Sequence, residues 1–168
     1  LRRRFCHELR DTITMQVPET IGVISDTHGL LRPEALAALQ GCDRIIHAGD
    51  VGSPDVLDGL RLLAPTVAVR GNVDTAPFGM KLPRSRVVEL EGHRIYVLHI
   101  LDELGVRPAP EDISAVIYGH SHQPSIEDRD GVLYLNPGSA GPRRFRLPVT
   151  VARLSVVAGR LQAQIVDL

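Results

Sequence analysis

From Ile21 onward, short apolar runs alternate with helical patterns and turn residues, the rhythm of a layered α/β chain. IGVIS predicts a first buried strand. Pro33 followed by Leu36 and Leu39 predicts a short helix, and RIIHAGD holds a second strand. Ser53 and Pro54 form a helix start, with Ser as cap, Pro at the first helical position and Asp55 and Asp58 in the opening turn. Val56, Leu57, Leu60 and Leu63 give that helix one apolar face, and TVAVR is a third strand.

Hairpin punctuation then replaces helices. Glu91-Gly92 separates VVEL from RIYVLH, Asp130-Gly131 separates SIED from VLYL, and Ala158-Gly159 separates TVARLSVV from LQAQIV. This half predicts a second, more antiparallel sheet, packed face to face on the first with helices on the outer faces. The 168 residues suit one domain over 15–168. Residues 1–14, LRRRFCHELRDTIT, lack periodicity and the apolar centre of a secretory signal, and are expected to be a disordered or artefactual extension, with Met15 as an alternative start.

Composition narrows the function classes. Hydrophobic residues make up 43% and charged residues 23%, the balance of a globular chain, and no apolar run approaches the roughly 18 residues of a membrane span. Cys6 and Cys42 are too few for a disulfide framework, so a cytoplasmic setting is expected. The net charge is -1, but Arg2, Arg3, Arg4 and Arg10 crowd the first segment, leaving the body acidic on balance. With only 4% aromatic residues, that argues against nucleic acid as partner.

Residues able to bind metals collect after the apolar runs. Asp26 and His28 follow IGVIS, Asp50 follows RIIHAG, Asn72 and Asp74 follow TVAVRG, His99 follows RIYVL, and His120 and His122 follow SAVIYG. Ligands of open α/β sheets bind at the carboxyl ends of strands, so these groups are expected to converge. His120-x-His122 on extended backbone would point both imidazoles the same way. A set of carboxylate, imidazole and amide groups without thiolate suits Mn²⁺, Zn²⁺, Ni²⁺ or Fe.

SDTHG, HAGD, GNVD, the strand-ending His99, GHSH and LNPGS occur in the order and approximate spacing of the calcineurin-like metallophosphoesterase superfamily. The chain resembles that superfamily from Gly22 to about Arg144, and most of all its small YfcE-like phosphodiesterases. The resemblance implies a four-layer αββα sandwich of two mixed β-sheets flanked by helices, with two divalent ions, Mn²⁺ foremost, at the loop edges. It implies Asp26, His28, Asp50 and His122 as ligands of one ion and Asp50, Asn72, His99 and His120 as ligands of the other, with Asp50 bridging. Asp50, Asn72 and His120 would take part directly in catalysis. A hydroxide held between the ions would attack phosphorus in a small phosphodiester or phosphomonoester, with no Ser or Cys nucleophile.

Two positions depart from the pattern. Val73 stands where the wider superfamily often has a His after Gly-Asn, which removes the usual acid for the leaving group and favours diesters with good leaving groups. Ile100 stands where relatives usually have Gly after the strand-end His, which is expected to alter the turn presenting His99 and the segment 99–114. Weaker candidates for substrate or ligand support are His47, Asp74, Asn136, Ser139 and Arg143, the last with Arg144 and Arg146 as possible phosphate contacts. His93 reads as a surface residue. A competing reading is a non-catalytic scaffold, as in the retromer subunit that resembles this group, and a homo-oligomer is compatible with either.

Overall fold

The structure is a computed structural model that describes residues 18–75, 77–105 and 107–168. The expected extension over 1–14, Cys6 and the alternative start at Met15 lie outside the described residues. Ten strands form two five-stranded sheets. β1 (Thr20–Ile24), β2 (Arg44–His47), β3 (Thr66–Ala68), β9 (Thr150–Val157) and β10 (Arg160–Asp167) form the first, in the order β10-β9-β1-β2-β3. β4 (Ser85–Leu90), β5 (His93–Leu98), β6 (Ala115–Ile117), β7 (Ser125–Arg129) and β8 (Val132–Asn136) form the second, in the order β4-β5-β6-β8-β7.

Both sheets are mixed. β1, β2 and β3 run parallel, as do β5, β6 and β8, while β9 adds to the first sheet antiparallel to β1 and β10 pairs antiparallel with β9. The second sheet is therefore no more antiparallel than the first, because the third predicted hairpin joins the earlier strands. Each predicted hairpin turn has positive φ at both central residues: Glu91 and Gly92, Asp130 and Gly131, Ala158 and Gly159. That is the mirror-image turn whose twist matches the strands beside it.

Apolar positions account for the layers. Ile21, Val23, Ile46, Leu90, Ile95, Val97, Ile117, Leu135 and Leu154 come from both sheets and are almost wholly buried between them, each contributing about 1.5–3 kcal/mol of transfer free energy. The outer face of the first sheet packs against α1 (Pro33–Leu39) and α2 (Pro54–Arg61) through Leu39, Ile45, Val56, Leu57 and Leu60. α2 begins as the sequence predicts, with the Ser53 hydroxyl accepting the Asp55 N–H at 3.3 Å. The outer face of the second sheet is covered more thinly, by Leu101 and Leu104 of a short 3-10 turn and by Ile113 packed on Tyr118 and Tyr134. Thus the segment after His99 lies over a sheet face, and Ile100 itself is extended at φ -105°, a conformation that needs no glycine.

Candidate metal centre

The parallel strands bring their carboxyl ends to one edge of the sandwich, and the loops leaving them interlock. Asp26 N–H donates to Gly49 O at 3.0 Å, Gly119 N–H to His99 O at 3.0 Å, and Ala140 N–H to Ser25 O at 3.1 Å. Two bonds cross between the sheets at the site itself: His120 N–H to Asp26 Oδ2 at 3.1 Å, and His99 Nδ1–H to Ala48 O at 2.8 Å.

Asp26, His28, Asp50, His120 and His122 all have φ between 47° and 69°. Left-handed backbone is costly for residues with a Cβ, and such residues concentrate at functional sites. His120 and His122 are therefore not presented by extended backbone, as their alternation suggests; each is turned inward by its own left-handed residue. Close packing adds a demand for glycine beside the candidate ligands. A Cβ on Gly71 would lie 2.0 Å from Asp50 Oδ1, and one on Gly119 would lie 2.1 Å from Ser25 Oγ and 2.7 Å from Asp26 Oδ2.

Five predicted side chains converge. Asp26 Oδ1 lies 3.3 Å from His122 Nε2 and 3.9 Å from both His28 Nε2 and His99 Nε2. Asp50 Oδ2 lies 3.3 Å from His99 Nε2 and 3.9 Å from His28 Nε2. These atoms form two groups able to hold an ion, Asp26 with His28 and His122, and Asp26 with Asp50 and His99. The carboxylate common to both groups is Asp26, whereas the resemblance gives the bridge to Asp50; both carboxylates reach imidazoles of the two groups. Asn72 and His120 stand at the exposed rim, where His120 Nδ1–H faces Asn72 Oδ1 at 3.0 Å and the His120 ring meets His99 edge-on at 5.3 Å.

The electrostatics keep two of the imidazoles neutral. Burial drives the His122 pKa down to about 4, with Arg144 adding to the effect, and lowers that of His28. Burial raises Asp26 to about 6. Burial also opposes the charge on Asp50, yet contact with His99 and the Val73 N–H at 3.0 Å outweigh it and hold its pKa below the usual value. For His99 burial favours the neutral ring, but Asp50 and Asp26 outweigh it and raise its pKa. Asp26 Oδ1 and His99 Nε2 are buried without a hydrogen-bond partner. Such atoms are expensive to leave unpaired, and two unpaired acceptors facing one point are what a cation would satisfy.

The weaker candidates separate into supports and bystanders. Asp74 accepts N–H groups from Val51 at 3.0 Å, Gly52 at 2.9 Å and Gly71 at 2.8 Å, fastening the loop of Asp50 to that of Asn72. His47 is fully buried, and burial lowers its pKa to about 3. Its Nδ1 accepts from Gly49 N–H, so its Nε2–H donates to Thr27 Oγ1, whose hydroxyl in turn donates to Val51 O. Asn136 donates to Gly119 O and Ser121 Oγ, both at 3.0 Å, and Ser139 Oγ donates to Asp26 O at 3.0 Å. Arg143 instead lines a separate surface hollow with Arg32 and Glu34. The arginine at the site is its neighbour Arg144, with Nη2 3.5 Å from His28 Nε2. A side-chain charge run does not reveal which of adjacent arginines turns inward.

Beside Asn72 and His99 opens a cavity of about 380 Å³, with Arg70, Arg84, Met80, Ile100 and Glu103 in its walls. Among the described residues, no helix is long and apolar enough to cross a membrane.

Comparison with known proteins identifies the family. The family model described as the calcineurin-like phosphoesterase superfamily domain matches residues 20–159. A probable metallophosphoesterase of Methanothermobacter thermautotrophicus is 38% identical, over 87% of this chain and 91% of its own. A phosphodiesterase of Methanocaldococcus jannaschii is 29% identical, over 70% of this chain and 82% of its own. Vps29 of Chaetomium thermophilum superposes with a TM-score of 0.70 at 19% identity, covering 89% and 97% of the two chains, a likeness of fold alone.

Proposed function

The chain belongs to the calcineurin-like phosphoesterase superfamily, and on that premise we propose that it is a binuclear metal-dependent phosphodiesterase acting on small substrates. The observation that carries this reading is the pair of buried, unpartnered acceptors, Asp26 Oδ1 and His99 Nε2, ringed by His28, His122 and Asp50. A scaffold with no ion to hold gains nothing from burying them. The donor set fits two divalent ions: Asp26, His28, Asp50 and His122 would hold one, and Asp50, Asn72, His99 and His120 the other, with Asp26 placed to reach both. Mn²⁺ suits these oxygen and imidazole donors, and Zn²⁺, Ni²⁺ or Fe would also be accepted.

When bound, two such ions supply Lewis acidity toward a phosphoryl oxygen and toward water at neutral pH. The chain's own groups orient and select. The Nδ1–H to Ala48 O bond fixes the His99 tautomer, keeping Nε2 as an acceptor. Asn72 and His120 stand at the open rim, within reach of an entering phosphoryl group, and Arg144 adds a cation on the His28 side. Val73 occupies the place of an acid; its side chain is 44% exposed and carries no proton to give. The leaving oxygen must then depart largely as an anion, which favours acidic alcohols and phenols. The relative named a phosphodiesterase supports the same preference.

The test is hydrolysis of bis-p-nitrophenyl phosphate and p-nitrophenyl phosphate by chelator-stripped protein, with Mn²⁺, Zn²⁺, Ni²⁺ and Mg²⁺ restored separately. Metal-restored turnover of the diester above the monoester supports the reading. Faster monoester turnover would make the protein a phosphatase, and a folded, metal-binding protein without turnover would be a scaffold.

A further inference from the structure

Phe145 breaks two local rules at once. It is 93% exposed, and its φ of 53° is a left-handed conformation costly for a bulky side chain. It follows Arg144 in a turn closed by Leu147 N–H to Arg144 O at 3.1 Å, at a position where Gly, Asn or Asp would be unstrained. The strain yields no burial, so the fold gains nothing from an aromatic ring here; strain without structural return is a mark of function.

The turn is held against the metal centre. Arg32 donates from Nε and Nη2 to Gly141 O at 3.3 and 3.1 Å, pinning the start of the loop, and Arg144 Nη2 reaches to 3.5 Å from His28 Nε2. That imidazole is the only hydrogen-bond neighbour of the Arg144 side chain among the described residues. Beside it Phe145, Arg146, Leu147 and Gln123, the residue after His122, line an open hollow with no acidic group in its wall. An aromatic face, two arginines and an apolar side chain thus share one turn whose Arg144 reaches His28, beside a hollow that Gln123, the residue after His122, also lines.

We propose that Phe145 is a stacking platform for a planar, nucleobase-like ring carried on the ester group that a small phosphodiester substrate retains, with Arg144 pairing to its phosphoryl oxygens. The proposal deepens the phosphoesterase reading and rests on it for the position of phosphorus. Stacking on an exposed aromatic accepts any planar ring and is worth about tenfold or more in affinity per ring. Flanking guanidinium groups add attraction for the phosphate and for the ring face.

Two diesters with one leaving group test it: thymidine 5′-(p-nitrophenyl phosphate) and p-nitrophenyl methyl phosphate, offered to the metal-loaded protein. The wild type should prefer the thymidine ester by about tenfold in kcat/KM. Phe145→Ala should bring the ratio near one while leaving methyl ester turnover unchanged, and Phe145→Trp should keep the preference. Calorimetric titration of thymidine 5′-monophosphate into metal-free protein should show about tenfold weaker binding to Phe145→Ala than to wild type. Loss of that binding difference, no ring preference in the wild type, or equal slowing of both esters in Phe145→Ala would overturn the platform. Binding that depends on Phe145 with neither ester hydrolysed by any metal form would instead overturn the phosphoesterase reading and leave the ring site standing.

Discussion

Asp26 Oδ1 and His99 Nε2 face each other at 3.9 Å, one from each sheet of the sandwich, both buried and neither hydrogen-bonded. The interlocked loops hold them there at the expense of left-handed backbone at Asp26 and of a carboxyl whose charge burial opposes. A cation between the sheets would relieve the second of these.

Removing the buried charge should therefore stabilise the metal-free protein. Asp26→Asn keeps an oxygen for the Ser25 hydroxyl and the His120 N–H, and deletes a carboxyl whose pKa is raised to about 6. At pH 7 the metal-free variant should unfold at higher urea concentration than wild type, by on the order of 1–3 kcal/mol. Metal should no longer stabilise it. If the variant is weaker than wild type without metal and still gains stability with it, Asp26 is not an electrostatic burden that a cation relieves.

Wild-type protein should show the converse response to metal. An ion at a hundredfold its dissociation constant adds about 2.7 kcal/mol, or roughly 5–10 °C in melting temperature for a chain of this size. Thermal unfolding of chelator-treated protein, with and without Mn²⁺, reads this directly; coincident curves would argue against any resident ion.

Stability of the metal-free protein should fall with acidification between pH 6.5 and about 4. His47 and His122 have pKa values lowered to about 3 and 4. Their stabilising contribution is present above 6.5, the unfolded value, and is lost as pH drops through the folded values. Asp26 opposes them, because its raised pKa gives a contribution present below 3.8 and lost as pH rises through about 6. With His28 also lowered, the histidines outweigh Asp26 and leave a net loss of stability over the window, measurable by urea denaturation at pH 6.5, 5.5 and 4.5. Asp26→Asn should make the dependence steeper.

Asp74 should matter without touching substrate. Asp74→Ala strands three N–H groups, those of Val51, Gly52 and Gly71, for a loss of about 3 kcal/mol or more. Looser loops at Asp50 and Asn72 should also weaken metal affinity by about 10–100-fold. Urea melts and a metal titration check both; unchanged metal affinity would confine Asp74 to a stabilising role.

Much of this cluster was legible in the residue order, because each candidate ligand follows an apolar run and carries chemistry that few other side chains supply. The hairpins were equally legible, since two-residue turns with Gly at the second position leave the chain little alternative. Strand partners were not. The β9–β10 hairpin reads like those before it, but it pairs with β1, more than a hundred residues earlier, through an inter-sheet core that local periodicity does not encode. Asp74 stood out only as a weak candidate for support for a similar reason: a carboxylate collecting backbone N–H groups has no sequence signature beyond its place in a Gly-rich loop. One available signal was the glycine before Asp50, Asn72 and His120, which at Gly71 and Gly119 marks backbone pressed against a neighbouring ligand. Arg144 was indistinguishable from Arg143, since a turn decides which one faces His28.

In the proposed function this carboxylate and imidazole cluster holds two ions that together support phosphodiester hydrolysis. Its most direct test is a titration of stripped protein with Mn²⁺, following bis-p-nitrophenyl phosphate hydrolysis and bound metal in the same samples. Activity should reach its plateau at two bound ions per chain, and an Asp50→Asn variant should be at least about a hundredfold slower. Full activity at one ion per chain, or without metal, or undiminished in Asp50→Asn, would contradict it.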